Sequence, residues 1–405
     1  MASTPLRIAV VTETYPPEVN GVARTMGQMV EVLLARGHSV ELTRPAQATE
    51  SAAGRILSKG LTEYLVRGAP IPCYSELRMG FTRPRDLEWR WREMRPDVVH
   101  VVTEGPLGWA ALIAARRAGI PVSSGFHTNF EAYSRHYGIG LFSGLVDGVL
   151  RGLHNRCDAT IVPTAEMRRS LESRGYERLA VVGRGIDTGL FRPERRSAAL
   201  RAAWGCEGDD PVVIHVGRLA PEKNLALFVR AALAVCQLRP RARVVLVGDG
   251  PDAAALRAAH PAFVFAGTRR GEDLAAHYAS ADLFLFPSVT ETFGNVTTEA
   301  LASGLAVAAY DYAAARQHIV DGESGLLAPL GDTEAFVDAA RTLVRSPQTI
   351  ARLRLNGAAV GRQLGWDAVI DELERVLSGV VRGHAVLIAE SGNKNHRRSA
   401  QTLGF

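Results

Sequence analysis

The segment Phe284-Leu-Phe-Pro-Ser-Val-Thr-Glu-Thr-Phe-Gly-Asn-Val-Thr-Thr-Glu299 opens on an apolar run, passes through a polar loop, reaches Gly294 and then takes on helical composition. An apolar run bounded by turn residues reads as a strand buried on both faces. The helix that follows makes it one βα unit of a parallel sheet. Working outward, the same alternation recurs along the chain. Strands are predicted at Arg7–Thr12, Ser39–Thr43, Asp97–Val102, Pro121–Ser124 and Thr160–Val162, with a helix over Val22–Arg36 closed by Gly37. A second series is predicted at Pro211–Val216, Arg243–Val247, Phe263–Ala266, Leu283–Phe286 and Leu305–Ala308. The fold class is α/β: two Rossmann-like, doubly wound parallel-sheet domains, with a ligand expected in a cleft at the carboxyl ends of the strands.

At roughly 100–200 residues per domain, 405 residues suit such a pair. The first domain is placed at 1–200 and the second at 201–380, joined through the Arg-, Pro- and Gly-rich stretch Asp187–Asp210. The last helix, about 366–380, is expected to pack back on the first domain, and 381–405 reads as a basic, frayed tail. With 47% hydrophobic and 22% charged residues the chain is globular rather than disordered. No run of 18 apolar residues offers a membrane span, and Glu13, Pro16, Pro17 and Glu18 interrupt what would be a secretory signal, so a cytoplasmic location is expected. Cys73, Cys157, Cys206 and Cys236 form no C-x-x-C pair, and neither H-E-x-x-H nor a P-loop occurs. No metal or other cofactor is expected. The net charge of +5 comes from the first 200 residues, where 26 Lys and Arg face 20 Asp and Glu. Such an excess serves an anionic lipid, an anionic small molecule or nucleic acid, or is a solvated surface.

The loops at the strand ends carry the chemistry. Backbone N–H groups of Gly294, Asn295 and Val296 at a helix start make an anion site, and Gly294 permits close approach. Glu291 and Glu299 are too far apart to share a proton but suit hydroxyls at two ends of an extended, sugar-like ligand; alternatively Glu299 complements the helix start and Glu291 is solvated. After the strand Pro211–Val216, Arg218 and Lys223 bring two cations to the same mouth, able to neutralise a pyrophosphate; the bland alternative is an exposed charge pair at a helix start. Lys223 is one of three lysines beside 44 arginines. In the first half, Asn20 can cap a helix beginning at Gly21. The loop there lacks G-x-G-x-x-G, which removes a dinucleotide-binding dehydrogenase, and the absence of G-x-S-x-G removes a serine hydrolase. His127 follows the strand Pro121–Ser124, where it is either packed or part of the site.

Gly217-Arg218-x4-Lys223, Leu246-Val-Gly-Asp-Gly-Pro251 and Glu291-x7-Glu299 together resemble the carboxyl-terminal half of retaining glycosyltransferases of family 4, which have the GT-B fold. The likeness extends through Val10–Gly21, Glu104–Gly108, His127-Thr-Asn129 and Gly185-Ile-Asp187. It implies that Arg218 and Lys223 hold the donor's diphosphate, that Glu299 holds ribose hydroxyls, and that Glu291 touches the transferred sugar. It further implies backbone contacts from Phe293, Gly294 and Asn295, a base pocket near Gly248 and Gly267, approach of the Gly21 loop to the diphosphate, and contact of His127 with the sugar. Catalytic roles fall to His127, Arg218, Lys223 and Glu291. Arg184 departs from the asparagine frequent at its position. The implied reaction moves a hexose, from GDP-mannose before UDP-glucose, to a lipid or glycan hydroxyl, with retention and without a metal. The alternatives are a same-fold sugar-nucleotide epimerase or hydrolase and a non-catalytic sugar-nucleotide-binding protein. No nucleic-acid partner is expected. The basic–aromatic segment 78–95 and an apolar stripe at Phe142, Leu145, Val146, Val149, Leu150 and Leu153 suggest docking on an anionic membrane surface, the inner face of the cytoplasmic membrane; the stripe equally suits a core.

Overall fold

A computed structural model of the chain describes residues 4–402 except 19, 48–49, 51–53, 72–73 and 128–142, with the side chains of 71, 74–77, 143 and 386–402 also outside the description. Cys73, Thr128, Asn129, Phe142 and the side chains of most of the basic tail therefore lie outside the described residues. By its contacts the chain divides into two units: one runs to His127, resumes over Gly144–Gly183 and returns from Asp367, and the other spans Arg184–Trp366.

The first unit holds nine strands: β1 (Arg7–Val11), β2 (Ser39–Pro45), β3 (Gly54–Ser58), β4 (Leu61–Ile71), β5 (Tyr74–Phe81), β6 (Val98–Val101), β7 (Val122–Gly125), β8 (Ala159–Val162) and β9 (Leu179–Val181). They run in the order β3-β4-β2-β1-β6-β7-β8-β9, with β5 beside β4. From β4 to β9 the pairs are parallel. Ile8 to Val11 are all buried, as a strand covered on both faces requires. The order reverses between β1 and β6, so the carboxyl ends of those two strands form the switch point of this sheet. The antiparallel strands β3 and β5 are additions that periodicity alone did not predict. Their signal is the Lys59-Gly60 turn, where Gly60 takes φ +85 between β3 and β4.

The basic–aromatic segment is divided between the core and the surface, with Leu87 and Trp91 buried and Phe81, Arg83, Arg85 and Arg92 exposed. Trp91 is buried and donates from Nε1 to Glu41 at 3.2 Å, while Arg90 bonds the same carboxylate at 2.6 Å and lies over the Tyr64 ring. A carboxylate inside a sheet needs those donors, which takes both residues out of any membrane face. Trp89, 63% exposed, stays outside. The helix Ser143–His154 likewise divides the apolar stripe, turning Leu150 and Leu153 inward and Leu145 outward. The terminal helix Trp366–Thr402 buries Ile370, Leu373 and Leu377, and its Glu374 meets His38 Nε2 at 2.9 Å. No helix among the described residues is long and apolar enough to cross a membrane.

The second unit is a six-stranded parallel sheet of β10 (Val212–Val216), β11 (Arg243–Val247), β12 (Val264–Gly267), β13 (Leu283–Phe286), β14 (Ala306–Tyr310) and β15 (Leu326–Ala328), in the order β12-β11-β10-β13-β14-β15. This is the 3-2-1-4-5-6 winding, whose switch point lies between β10 and β13. Residues 187–210, expected as a linker, pack here, with Phe191 and Trp204 in the core. Asp282, ahead of β13, accepts from Arg196, Arg201 and Arg354 at 2.8 to 3.0 Å and from the Val212 N–H at 2.9 Å. It ties the 187–210 stretch, the start of the interior strand β10 and the helix Pro347–Arg362 to one carboxylate. Replacing Asp282 by Ala leaves the buried Arg201 guanidinium without its counter-charge and is expected to cost about 3–5 kcal/mol, read as a lower urea midpoint at unchanged slope.

Candidate functional site

In the second unit the predicted donor residues gather at the β10/β13 switch point. Gly217 leaves β10 at φ +152, and its N–H donates to the Val247 carbonyl at 3.0 Å. Gly248 leaves β11 at φ +134, where a Cβ would stand 1.9 Å from the Gly217 carbonyl oxygen. Only glycine lets these loops meet backbone to backbone. The Gly248 N–H donates in turn to Gly267 at the end of β12, at 2.9 Å. The three strand-end loops thus form a continuous shelf along which Arg218 and Lys223 follow.

Lys223 closes a short 3-10 turn, Pro221–Lys223, and its Nζ lies 2.5 Å from Glu291 Oε1. Ser288 donates to the same oxygen at 2.7 Å, and the Tyr312 hydroxyl donates to the Glu291 carbonyl at 2.7 Å. Burial pushes the Glu291 carboxyl up, but Lys223, Ser288 and Arg184 together outweigh it and hold the group below the ordinary carboxylate range. Arg218 is half-exposed, 3.7 Å from Glu222. Phe293 is buried with the Arg184 guanidinium over its ring, 5.9 Å from the centroid. Gly294, at φ +92, turns the chain into the helix Asn295–Ala302, whose start no side chain caps. The N–H groups there, including that of Val296, keep the directions an anion needs. Glu299 is buried and accepts from the Tyr278 hydroxyl at 3.0 Å. Beneath Lys223, His215 is packed against Phe228 and Phe286, and burial, helped by Lys223, holds its pKa down at about 3, so it is neutral. The sequence alone did not point to Ser288, Tyr278, Tyr312 or His215 as neighbours of these groups, since only the fold sets them there.

The first unit offers a second set of groups at the carboxyl ends of β1, β6 and β7. Asn20 caps the helix Gly21–Ala35, accepting from the Ala23 N–H at 2.8 Å. A Cβ at Gly21 would meet nothing within 4 Å, so packing does not demand glycine there. His127 follows β7 and is partly buried; its ring folds back so that a Cβ on Gly125 would stand 2.3 Å from Nε2. The residues Gly21 and His127 belong to the first unit and the remaining predicted site residues to the second. Sequence reasoning gave no role to Glu13, which leaves β1 and turns inward, its Oε1 facing the N–H groups of Leu107 (3.3 Å) and Gly80 (3.4 Å). A Cβ on Gly105 would stand 2.0 Å from its Oε2. Burial, with Glu104 nearby, raises its pKa to about 7 against the pull of those N–H groups. Glu104 in turn lies 3.4 Å from His154 Nε2, and Ser124 meets His154 Nδ1 at 2.9 Å.

Residues 210–346 match the family described as Glycosyl transferases group 1, and residues 19–190 match Glycosyltransferase Family 4. The chain is 36% identical over 369 residues to a GDP-mannose-dependent alpha-mannosyltransferase of Mycobacterium tuberculosis, covering 91% of this chain and 95% of that protein. It is 34% identical to a protein of the same description from Mycolicibacterium smegmatis, covering 91% and 96% of the two chains. Among solved structures, the sucrose-phosphate synthase of Thermosynechococcus elongatus matches with a TM-score of 0.78 at 19% identity, covering 93% of this chain and 100% of that one.

Glu13 makes the first unit sensitive to pH. Its folded pKa lies above the ordinary carboxyl value of 4.5, so its contribution is complete below that value and is lost as pH rises through about 7. The loss is expected to be on the order of 2–3 kcal/mol. Urea titrations at pH 5 and pH 8 should show the drop in wild type and a flatter response in Glu13→Gln; equal slopes would remove Glu13 as its source.

Proposed function

Since this chain belongs to the family 4, group 1 glycosyltransferases and has the GT-B fold of two doubly wound α/β units, we propose that it transfers a hexose from a nucleoside diphosphate sugar to a hydroxyl of a lipid or glycan. GDP-mannose is the favoured donor, ahead of UDP-glucose, because three relatives at 33–36% identity over 91–93% of the chain are described as GDP-mannose-dependent. The second unit takes the donor and the first the acceptor. The observation that carries this reading is the convergence of Arg218, Lys223, Glu291 and the uncapped helix start at Asn295 on one switch point.

The chemistry follows from that arrangement. When the bond from the sugar's anomeric carbon to the diphosphate breaks, negative charge grows on the phosphate oxygens and positive charge on the ring. Arg218, Lys223 and the N–H groups of Gly294, Asn295 and Val296 stabilise the first. Glu291 stands where it can hold hydroxyls of the departing sugar, and Glu299 those of the ribose. Gly248 and Gly267 leave room for the base. In the first unit, Gly21 lets the backbone approach the diphosphate, and His127 contacts the sugar. Transfer is with retention: a phosphate oxygen of the donor takes the acceptor's proton as the hydroxyl attacks from the same face. No metal takes part. The protein acts in the cytoplasm, on the inner face of the membrane, where Trp89, Phe81 and the outward half of the helix Ser143–His154 offer apolar contact.

The test is direct. Purified protein with radiolabelled GDP-mannose or UDP-glucose and a membrane lipid extract should yield labelled glycolipid, with GDP-mannose the better donor and turnover unchanged by a chelator. Free or altered sugar without glycolipid would make it a hydrolase or epimerase, and bound donor alone a binding protein. Lys223→Ala and Glu299→Ala should each weaken nucleotide binding roughly tenfold to a hundredfold while the far-ultraviolet spectrum stays unchanged. Unaltered affinity in both would displace the donor from this site.

A further inference from the structure

We infer that Arg184 is a positioning residue for transfer, the resident counter-charge that stays beside Glu291 when Lys223 is drawn to the donor's diphosphate. The inference rests on the donor-site reading of the β10 and β13 loops. In the structure Lys223 serves Glu291 at 2.5 Å, and the Glu291 side chain is only 16% exposed. A diphosphate competes for that same ammonium, a compact charge on a flexible stem. Glu291 would then keep Ser288 as its hydrogen-bond donor but face the loss of its nearest cation, and a desolvated carboxylate without one is driven to take up a proton.

Arg184 is placed to prevent this. It is buried, its guanidinium lies over Phe293 two residues along from Glu291, and its charge acts on that carboxylate. The backbone that carries it is held: a Cβ on Gly185 would stand 2.6 Å from the Trp366 ring, and the Ile186 N–H donates to the Leu364 carbonyl at 2.8 Å. Among the described residues, the charged or titratable groups that act on or contact Glu291 include Lys223 from the turn after β10, Arg184 from the segment entering the second unit, His215 on β10, and Tyr312, whose hydroxyl donates to the Glu291 carbonyl. His215 is neutral and supplies no charge. A guanidinium suits the post, since it stays protonated even where burial lowers its pKa to about 10.

The experiment compares Arg184→Met and Arg184→Lys with wild type in the full-length protein. GDP affinity is measured by calorimetry, and kcat is followed from pH 5.5 to 9 with GDP-mannose and a membrane lipid extract. Arg184→Met should bind GDP within about twofold of wild type and shift the acid limb of the kcat profile up by about one pH unit, losing up to about tenfold in kcat on that limb. Arg184→Lys should return both to within about threefold of wild type. An acid limb that stays in place in Arg184→Met overturns the inference, as does Arg184→Lys performing no better than Arg184→Met. A loss of GDP affinity equal to the loss in kcat also overturns it, because Arg184 would then be a diphosphate ligand. Arg184→Gln replaces the Met variant if that one does not fold, under the same criteria. Failure of the underlying functional reading looks different: wild type itself would bind neither GDP nor UDP and transfer nothing.

Discussion

A carboxylate withdrawn from water stays ionised only while cations and hydrogen-bond donors stand against it, and in the second unit that constraint falls on Glu291. Lys223 comes from the loop after β10 and Glu291 from the loop after β13, 68 positions later. They meet because the winding makes β10 and β13 neighbours. The glycines at 217 and 248 matter for the same reason, since a side chain at 248 would push apart the loops that deliver Arg218 and Lys223. Sheet order, glycine placement and ion pairing are therefore one requirement seen at three scales.

The two units solve the same problem in opposite ways. Each carries a glutamate just beyond the carboxyl end of a strand at its switch point, Glu13 after β1 and Glu291 after β13. Glu291 has cations around it and is held low, whereas Glu13 has backbone N–H groups and a second carboxylate, and is raised. The first arrangement keeps a fixed negative charge on a largely buried carboxylate. The second makes a group that changes charge near neutrality, which ties the Gly80 and Leu107 backbones to the state of one proton.

Much of this was legible in the residues, and the gaps have physical reasons. The buried parallel strands were plain because strands covered on both faces are near-continuous apolar runs, as Leu283–Phe286 is and Val212–Val216 is but for His215. The loops that carry Arg218, Lys223, Glu291 and Gly294 were legible as strand-end loops, and they follow β10 and β13 in the structure. The hairpin strands β3 to β5 escaped because β3 is exposed along its length and shows no buried run. Arg90 and Trp91 read as surface groups because their partner, Glu41, lies 49 and 50 positions away. Residues 187–210 read as a linker because Arg196 and Arg201 look solvated until Asp282 is set beside them. In the last two cases the missing fact is a long-range polar pairing, which periodicity does not encode.

The chain builds its buried ion pairs almost wholly from arginine, which leaves Lys59, Lys223 and Lys394 as its only side-chain amines. One of the three sits against Glu291 with 18% of its side chain exposed. Acylating reagents and acetyl-transferring enzymes, which ignore guanidinium, therefore find few amines on this protein, and neutralising Lys223 would strip the buried Glu291 carboxylate of its ion-pair partner.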